Sequence, residues 1–233
     1  MKTSNIISVA FITFVLAGMI TMYVVTKNHD ISIYKNLYKE KIALESFSVI
    51  VADNQSRIYI ESGDSNLVTL SYLGDKKVLP SQYLIKNDTL YISNSTMEID
   101  ESFLIQCVKV QSIISRKNSN VTLFRFSSDS LSLFSENSQI QLNNSLFENK
   151  DSLKVKLNIY LSIKDNSTLQ MNDSHIKKMN ILAENSRLYI RNNQIEKFNV
   201  SLERDSYFEG IANKCGKTHF NADQTSTYYL SQD

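Results

Sequence analysis

The chain has 233 residues, with 25 basic against 24 acidic side chains and a formal net charge of +1, enough for one sizeable domain and a short appendage. That balance, with no block of like charge, excludes a global field drawing the protein to nucleic acid or anionic lipid. Its 5 glycines and 1 proline stand against roughly 16 and 12 at average usage, so the bends must be made by Asn, Asp and Ser, as in Asn143-Asn144-Ser145, Asn172-Asp173-Ser174 and Asn192-Asn193.

Residues 1–5 precede an uninterrupted apolar run over 6–25, bounded by Lys2 and Lys27. At ~1.5 Å per residue the run reaches ~30 Å, the thickness of a hydrocarbon core, and predicts a transmembrane signal-anchor helix with residues 1–5 as a cytoplasmic N-terminus. A signal peptide cut near Val15 or Ala17 is the rival; the run continues through Met19, Ile20, Met22, Tyr23, Val24 and Val25, which favours the anchor. Basic-residue counting, with Lys27, Lys35, Lys39 and Lys41 after the span and Lys2 before it, keeps the downstream part in the cytoplasm. Against this, an N-terminal signal-anchor followed by a long domain usually exports it. The expectation is therefore a single-pass inner (cell) membrane protein whose domain faces the periplasm.

Residues 26–45 read as a stalk, with Ile33, Leu37, Tyr38, Ile42 and Leu44 as a rough helical stripe. From Phe47 the period becomes two. Phe47, Val49 and Val51 alternate with polar partners, Asp53-Asn54-Gln55 turns the chain, and Arg57-Ile58-Tyr59-Ile60 returns it. Further short strands are expected at 68–73, 83–85, 89–92, 104–110 and 121–126.

A phrase Ser-x-apolar-x-apolar then recurs: Ser119-Asn-Val121-Thr-Leu123, Ser138-Gln-Ile140-Gln-Leu142, Ser167-Thr-Leu169-Gln-Met171 and Ser186-Arg-Leu188-Tyr-Ile190, with Ser206-Tyr-Phe208 as a worn copy. The serines are 19, 29, 19 and 20 residues apart. Second strands at 158–161, 180–183 and 199–202 precede successive phrases, and the 29-residue interval accommodates an extra loop around 148–153. A period near ~20 with short alternating strands predicts a β-solenoid whose coils pack only on their neighbours. The expected fold is all-β, a single-stranded β-helix-like solenoid over 46–220, with residues 221–233 as a polar tail or cap.

Several of these segments resemble a known family. Phe47-Ser-Val49-Ile-Val51, Arg57-Ile58-Tyr59-Ile60, Ser62-Gly63-Asp64 and Asn87-Asp88-Thr89-Leu90-Tyr91-Ile92 make residues 46 to about 211 similar to the head GIN domain, named also for auto-transporter adhesins, of Bacteroidetes-type envelope proteins. The family places glycines at the first turn, where this chain has Asp53-Asn54-Gln55. The resemblance implies a β-helix-like fold exposed outside the cytoplasm and no catalytic residues.

Motifs for chemistry are sparse. Cys107 and Cys215 read as two free thiols rather than a bridge. Cys215, His219 and Asp223 are the nearest approach to a metal-ligand cluster, but Gly216 argues against the helix that would bring the first two together. A polar tail is the plainer reading, so no metal and no cofactor are expected. A β-helix can carry a lyase or glycosidase, which requires clustered carboxylates. The candidates Asp129, Asp151, Asp165, Asp173 and Asp205 lie mostly in turn strings. There is no phosphate loop, nucleophile elbow or basic-aromatic strip for nucleic acid.

If the phrases stack in register, Gln139, Thr168, Arg187 and Tyr207 form one outward row, and Gln141, Gln170, Tyr189 and Glu209 a second. The candidate binding face is Gln139, Gln141, Thr168, Gln170, Arg187 and Tyr189, suited to a glycan or an extended peptide; a merely solvated sheet face is the simpler alternative. The functional expectation is a membrane-anchored, non-catalytic binding, adhesion or structural module of a bacterial envelope, with an envelope glycan or protein as partner. A carbohydrate-active enzyme on the same scaffold is the alternative.

Overall fold

The computed structural model describes residues 13–23, 37–73, 83–93, 102–126, 128–143, 158–172, 174–191, 193–211 and 214–231. The chain divides into two compact units, Met1–Tyr38 with Tyr72–Lys76, and Lys39–Ser71 with Lys77–Asp233. In the first, residues 13–23 form helix α1, with Phe14, Leu16, Met19, Ile20 and Met22 exposed. No helix among the described residues is long and apolar enough to cross a membrane. The 11 described residues of α1 rise about 16 Å of the ~30 Å of a hydrocarbon core. The remainder of the span expected over 6–25 lies outside the described residues.

The rest of the described chain is all β. In order the strands are β1 (Leu37–Ala43), β2 (Val49–Asp53), β3 (Arg57–Ser62), β4 (Leu67–Leu73), β5 (Tyr83–Lys86) and β6 (Thr89–Ser93). Next come β7 (Ser102–Cys107), β8 (Ser112–Arg116), β9 (Asn120–Phe124), β10 (Ser130–Glu136), β11 (Gln139–Asn143) and β12 (Asn158–Lys164). The last are β13 (Thr168–Asn172), β14 (His175–Glu184), β15 (Arg187–Arg191), β16 (Gln194–Glu203), β17 (Tyr207–Ile211), β18 (Lys214–Ala222) and β19 (Thr227–Ser231). They form a ten-stranded sheet, β1-β4-β7-β3-β9-β11-β13-β15-β17-β19, and a nine-stranded sheet, β18-β16-β14-β12-β10-β8-β2-β6-β5.

From β8 onward the chain alternates between the sheets, and each strand pairs in parallel with the strand two places on. Upstream, stack order departs from chain order. β2 lies between β8 and β6, and β3 between β9 and β7. β4 and β5 then pair antiparallel with β7 and β6. The regular advance expected from residue 46 thus begins only at β8.

Strands occupy both terminal segments. Part of the segment read as a stalk with a helical stripe is β1, because around Ile42 the burial alternates with period two: Ile42 and Leu44 pack on the core, while Lys41 and Ala43 are exposed. The segment read as a polar tail or cap contributes β19, which adds a rung to the ten-stranded sheet.

Strands β7 to β13, β15 and β17 bury alternate residues. Ile140 and Leu142, Leu169 and Met171, and Leu188 and Ile190 enter one core with Leu131 and Leu133, Leu161 and Ile163, and Ile181 and Ala183 of the other sheet. The corners between sheets use the left-handed region, at Asn54, Gln55, Lys117, Asn118, Asn137, Asp165, Asn166, Asn185, Arg204 and Asp205. Asn and Asp tolerate that region best among residues with a side chain. Asn54 (φ 52°) and Gln55 (φ 61°) hold it at the first turn. The serine following each corner is buried at Ser56, Ser119, Ser138, Ser167, Ser186 and Ser206. Its hydroxyl links corner to corner: Ser138 N–H donates to Ser167 Oγ at 3.2 Å, and Ser167 Oγ donates to Lys164 C=O at 2.5 Å.

Candidate functional site

The outward face of the ten-stranded sheet brings the sequence-derived candidates together. Adjacent parallel strands stand ~4.8 Å apart, and the register puts Gln139, Thr168, Arg187 and Tyr207 on successive rungs of one row, preceded by Arg57 and Asn120. The neighbouring row runs Tyr59, Thr122, Gln141, Gln170, Tyr189, Glu209 and Tyr229. Strand alternation forces this arrangement: with Ile140, Leu169 and Leu188 inward, the residues on either side of each must point out. Gln139 and Gln141 come from β11, Thr168 and Gln170 from β13, and Arg187 and Tyr189 from β15.

One end of this face is polar and concave. A groove of about 370 Å³ is lined by Arg57, Asn120, Gln139 and Thr168 and by corner residues including Asn137 and Asn166. Within it, Asn120 Oδ1 is buried with no hydrogen-bond partner among the described residues, an acceptor available to an incoming donor.

The other end is aromatic. Tyr207 lies diagonally between Tyr189 and Tyr229, with ring centroids 6.0 and 5.9 Å away and both interplanar angles 51°. The Tyr207 hydroxyl donates to Glu209 Oε2 at 3.1 Å, and Arg191 Nη2 donates to Glu209 Oε1 at 3.2 Å. Desolvation, followed by the hydrogen bond and charge of Glu209, raises the Tyr207 phenol above its ordinary value, so the ring stays protonated. Tilted aromatic pairs are favoured at this separation, and Glu209, paired with Arg191, stands between Tyr189 and Tyr229 on their row. The result is a preset platform of three rings beside Arg187.

Sequence reasoning missed Tyr229 and Arg191. Ser226-Thr-Tyr228-Tyr-Leu230 repeats the serine phrase 20 residues after Ser206, which was the available signal for Tyr229. It also missed an apolar row on the nine-stranded sheet. There Phe134, Ser162 and Leu182 occupy successive rungs, and with Tyr160 they line a notch of about 260 Å³. The notch exists because Ser162 stands where its neighbours are large and exposed.

The remaining candidates do not converge. Asp165 and Asp205 are left-handed corner residues, Asp129 is exposed just before β10, and Asp151 and Asp173 lie outside the described residues. No group of three or more His, Cys, Asp and Glu that could hold a metal occurs among the described residues. His219 pairs with Asn199 across β18 and β16 and is exposed. The Asp223 carboxylate serves its own corner, accepting from Arg204 N–H at 2.7 Å and Ser226 N–H at 2.9 Å. Cys107 is a buried free thiol, pushed up to about 12 by burial and then by Glu61; the side chain of Cys215 lies outside the described residues.

No family model matches the chain, and no curated protein matches it. Among solved structures it is similar to a "putative adhesin" from Bacteroides fragilis, at 14% identity and a TM-score of 0.46 over 84% of this chain and 98% of that one. It is similar to a "putative adhesin" from Parabacteroides distasonis, at 13% identity and a TM-score of 0.49 over 84% of this chain and 94% of that one. A "putative lipid binding protein" from Parabacteroides distasonis is similar at 9% identity and a TM-score of 0.40, over 84% and 93% of the two chains.

Proposed function

We propose that this protein is a non-catalytic binding module, built as a β-solenoid from β8 onward, that takes an extended glycan along the outward face of its ten-stranded sheet. The observation that carries this reading is the continuous run from the polar groove at Asn120, Gln139 and Thr168, past Arg187 and Gln170, to the rings of Tyr189, Tyr207 and Tyr229. Amide and hydroxyl groups match sugar hydroxyls, and ring faces match the apolar faces of pyranoses. Between them the two rows from β9 to β19 carry one carboxylate, Glu209, which Arg191 already engages. Glycoside hydrolysis ordinarily calls for two carboxyl groups about 5–9.5 Å apart, so the face favours holding a polymer over cutting it.

Membrane attachment through residues 6–25, with the module outside the cytoplasm, completes the proposal. It rests on the apolar run in the sequence and on the resemblance to head GIN domains. An alkaline phosphatase fusion after Asp233 tests the orientation, because an inactive fusion places the module inside.

The binding test uses the full chain in detergent against a glycan array and cell-wall fragments. Arg187→Ser with Tyr189→Ser should weaken retention about tenfold or more, equivalent to ~1.4 kcal/mol, while leaving the unfolding midpoint in place because both side chains point away from the core. Binding unchanged by this pair, or absent from every glycan, removes the proposal.

A further inference from the structure

Strands β14, β16 and β18 share a break in their alternation near the start. Between inward Ile176 and Met179 lie two residues that are not buried, Lys177 and Lys178. Between inward Ile195 and Phe198 lie Glu196 and Lys197, and Gly216 and Lys217 repeat the break on β18. A Cβ on Gly216 would overlap the Glu196 carbonyl, so glycine lets the two coils keep this register. The pairing puts Lys178, Lys197 and Lys217 on three successive rungs, about 4.8 Å apart. Lys178 and Lys197 point outward because Met179 and Phe198 beside them are buried.

Like charges on facing positions destabilise a sheet. Elsewhere on the same sheet this chain avoids them, since Arg116, Glu136, Lys164 and Glu184 alternate in sign along their row. The lysine row has no such relief. None of Lys177, Lys178, Lys197 and Lys217 forms an ion pair among the described residues, and Glu196, the carboxylate beside them in the chain, forms none with them. Four cations therefore gather on a chain whose net charge is only +1.

A second row runs beside the first. Tyr160, Asn180, Asn199 and His219 occupy successive rungs, two residues further along their strands. Tyr160 is 51% exposed. Asn199 Nδ2 donates to Asn180 Oδ1 at 2.9 Å, which leaves Asn180 Nδ2 and Asn199 Oδ1 free among the described residues. Six residues beyond the lysines, at ~20 Å, β14 and β16 end in Glu184 and Glu203. A flat anionic surface laid on this face would meet those carboxylates as well as the lysines. A chain lying across the strands meets the lysines alone.

We propose that this face binds an acidic polysaccharide, laid across β14, β16 and β18 with its carboxylates on Lys178, Lys197 and Lys217 and its hydroxyls on the Asn180–Asn199 amides. The carboxylates supply the counter-charge that the row lacks, and a sugar ring of the polymer rests on Tyr160 at the end of the amide row. This is a second site, on the other sheet from the face assigned to an extended glycan, and it does not depend on that assignment.

Affinity electrophoresis of the full chain in non-ionic detergent, through gels holding polygalacturonate, tests this. Dextran serves as the neutral polymer and polyglutamate as the acidic peptide. Polygalacturonate should retard the chain beyond any effect of dextran. Raising salt from about 0.1 M to 1 M shortens the screening length from about 10 Å to about 3 Å and should release it. Lys178→Gln with Lys197→Gln should weaken retardation about tenfold or more. The unfolding midpoint of that variant should hold or rise, because like charges leave adjacent rungs. Arg187→Ser with Tyr189→Ser, on the other sheet, should leave the retardation unchanged. No retardation by polygalacturonate overturns the proposal, as does retardation that survives the lysine pair. Equal retardation by polyglutamate would mean unselective capture of acidic chains and would overturn it too. Capture by phosphatidylglycerol micelles in place of polygalacturonate would assign the lysines to a lipid surface and would equally remove the polysaccharide.

Discussion

Ser167 shows why one hydroxyl recurs at the corners. It is fully buried, accepts the N–H of Ser138 and donates to the carbonyl of Lys164. A residue at that point must be small, apolar enough to lie in the core, and able to give and take a hydrogen bond together. Ser206 does the same two coils later, accepting from Ser186 N–H at 3.4 Å and donating to Glu203 C=O at 2.6 Å. Ser56 joins the series through Ser119, its Oγ at 3.1 Å from the next. Replacing Ser167 with Ala leaves the buried N–H of Ser138 without its partner, while Lys164 C=O keeps Asn137 N–H at 3.3 Å. An unsatisfied buried polar group costs about 1–3 kcal/mol, so Ser167→Ala should lower the urea unfolding free energy by about 1–3 kcal/mol. Ser128→Ala gives the contrast: its hydroxyl is only partly buried and binds carbonyls near the surface, and water can replace it. Equal effects of the two substitutions would refute the ladder as a source of stability.

At the scale of the strand, register is held by side-chain rows as much as by the backbone. Arg116, Glu136, Lys164 and Glu184 stand on successive rungs, with Arg116–Glu136 at 3.9 Å and Lys164–Glu184 at 3.4 Å. Each exposed pair adds little, but a one-residue slip would turn every inward Ile and Leu of the strand to solvent. The alternating signs agree with the register the core already demands. Amides do likewise where charge is absent: Asn172 Nδ2 donates to Asn143 Oδ1 at 3.0 Å, and Asn199 Nδ2 to Asn180 Oδ1 at 2.9 Å. The row Phe134, Ser162, Leu182 is broken by its middle member. Leucine there would touch large apolar side chains on both adjacent rungs, and cross-strand apolar pairs contribute about 0.2–1 kcal/mol each. Ser162→Leu should therefore raise the thermal midpoint and close the notch, read as lost binding of a hydrophobic dye. A lower midpoint would show that the notch is held open by something other than the missing side chain.

Across the whole chain, what could be read beforehand was what repeats locally. Ser138, Ser167 and Ser186 each announce a strand with two inward residues, and equal phrases stack in equal register, so the row from Gln139 to Tyr207 is legible in the sequence. Periodicity says which way a residue points, not which strand lies beside it. For that reason nothing in 47–60 revealed that β2 and β3 lie between the coils of β6–β7 and β8–β9. Ser226 is hard to see because its phrase is filled by tyrosines within a polar stretch, and with it went Tyr229. Among the described residues the coil of β18 and β19 has a neighbouring coil on one side alone, and in a stack held by nearest neighbours such a coil should loosen first. Asp223 ties this coil to the one before through Arg204 and closes its own corner on Ser226. Hydrogen bonding from the Ser226 side chain, then from the Arg204 backbone, lowers its carboxyl from 3.8 to about 2. A carboxyl whose folded value is depressed contributes fully above its unfolded value and loses that contribution as pH falls through the folded one. The last coil should therefore be held above about pH 4 and released progressively toward pH 2. Hydrogen exchange measured by mass spectrometry at pH 5 and pH 2, corrected for intrinsic rates, should show protection lost from 207–231 before 139–172. Asp223→Asn should shrink that difference, because its side chain cannot ionise. Equal loss from both regions, or an unchanged difference in Asp223→Asn, would show that the carboxylate is not what fastens the last coil.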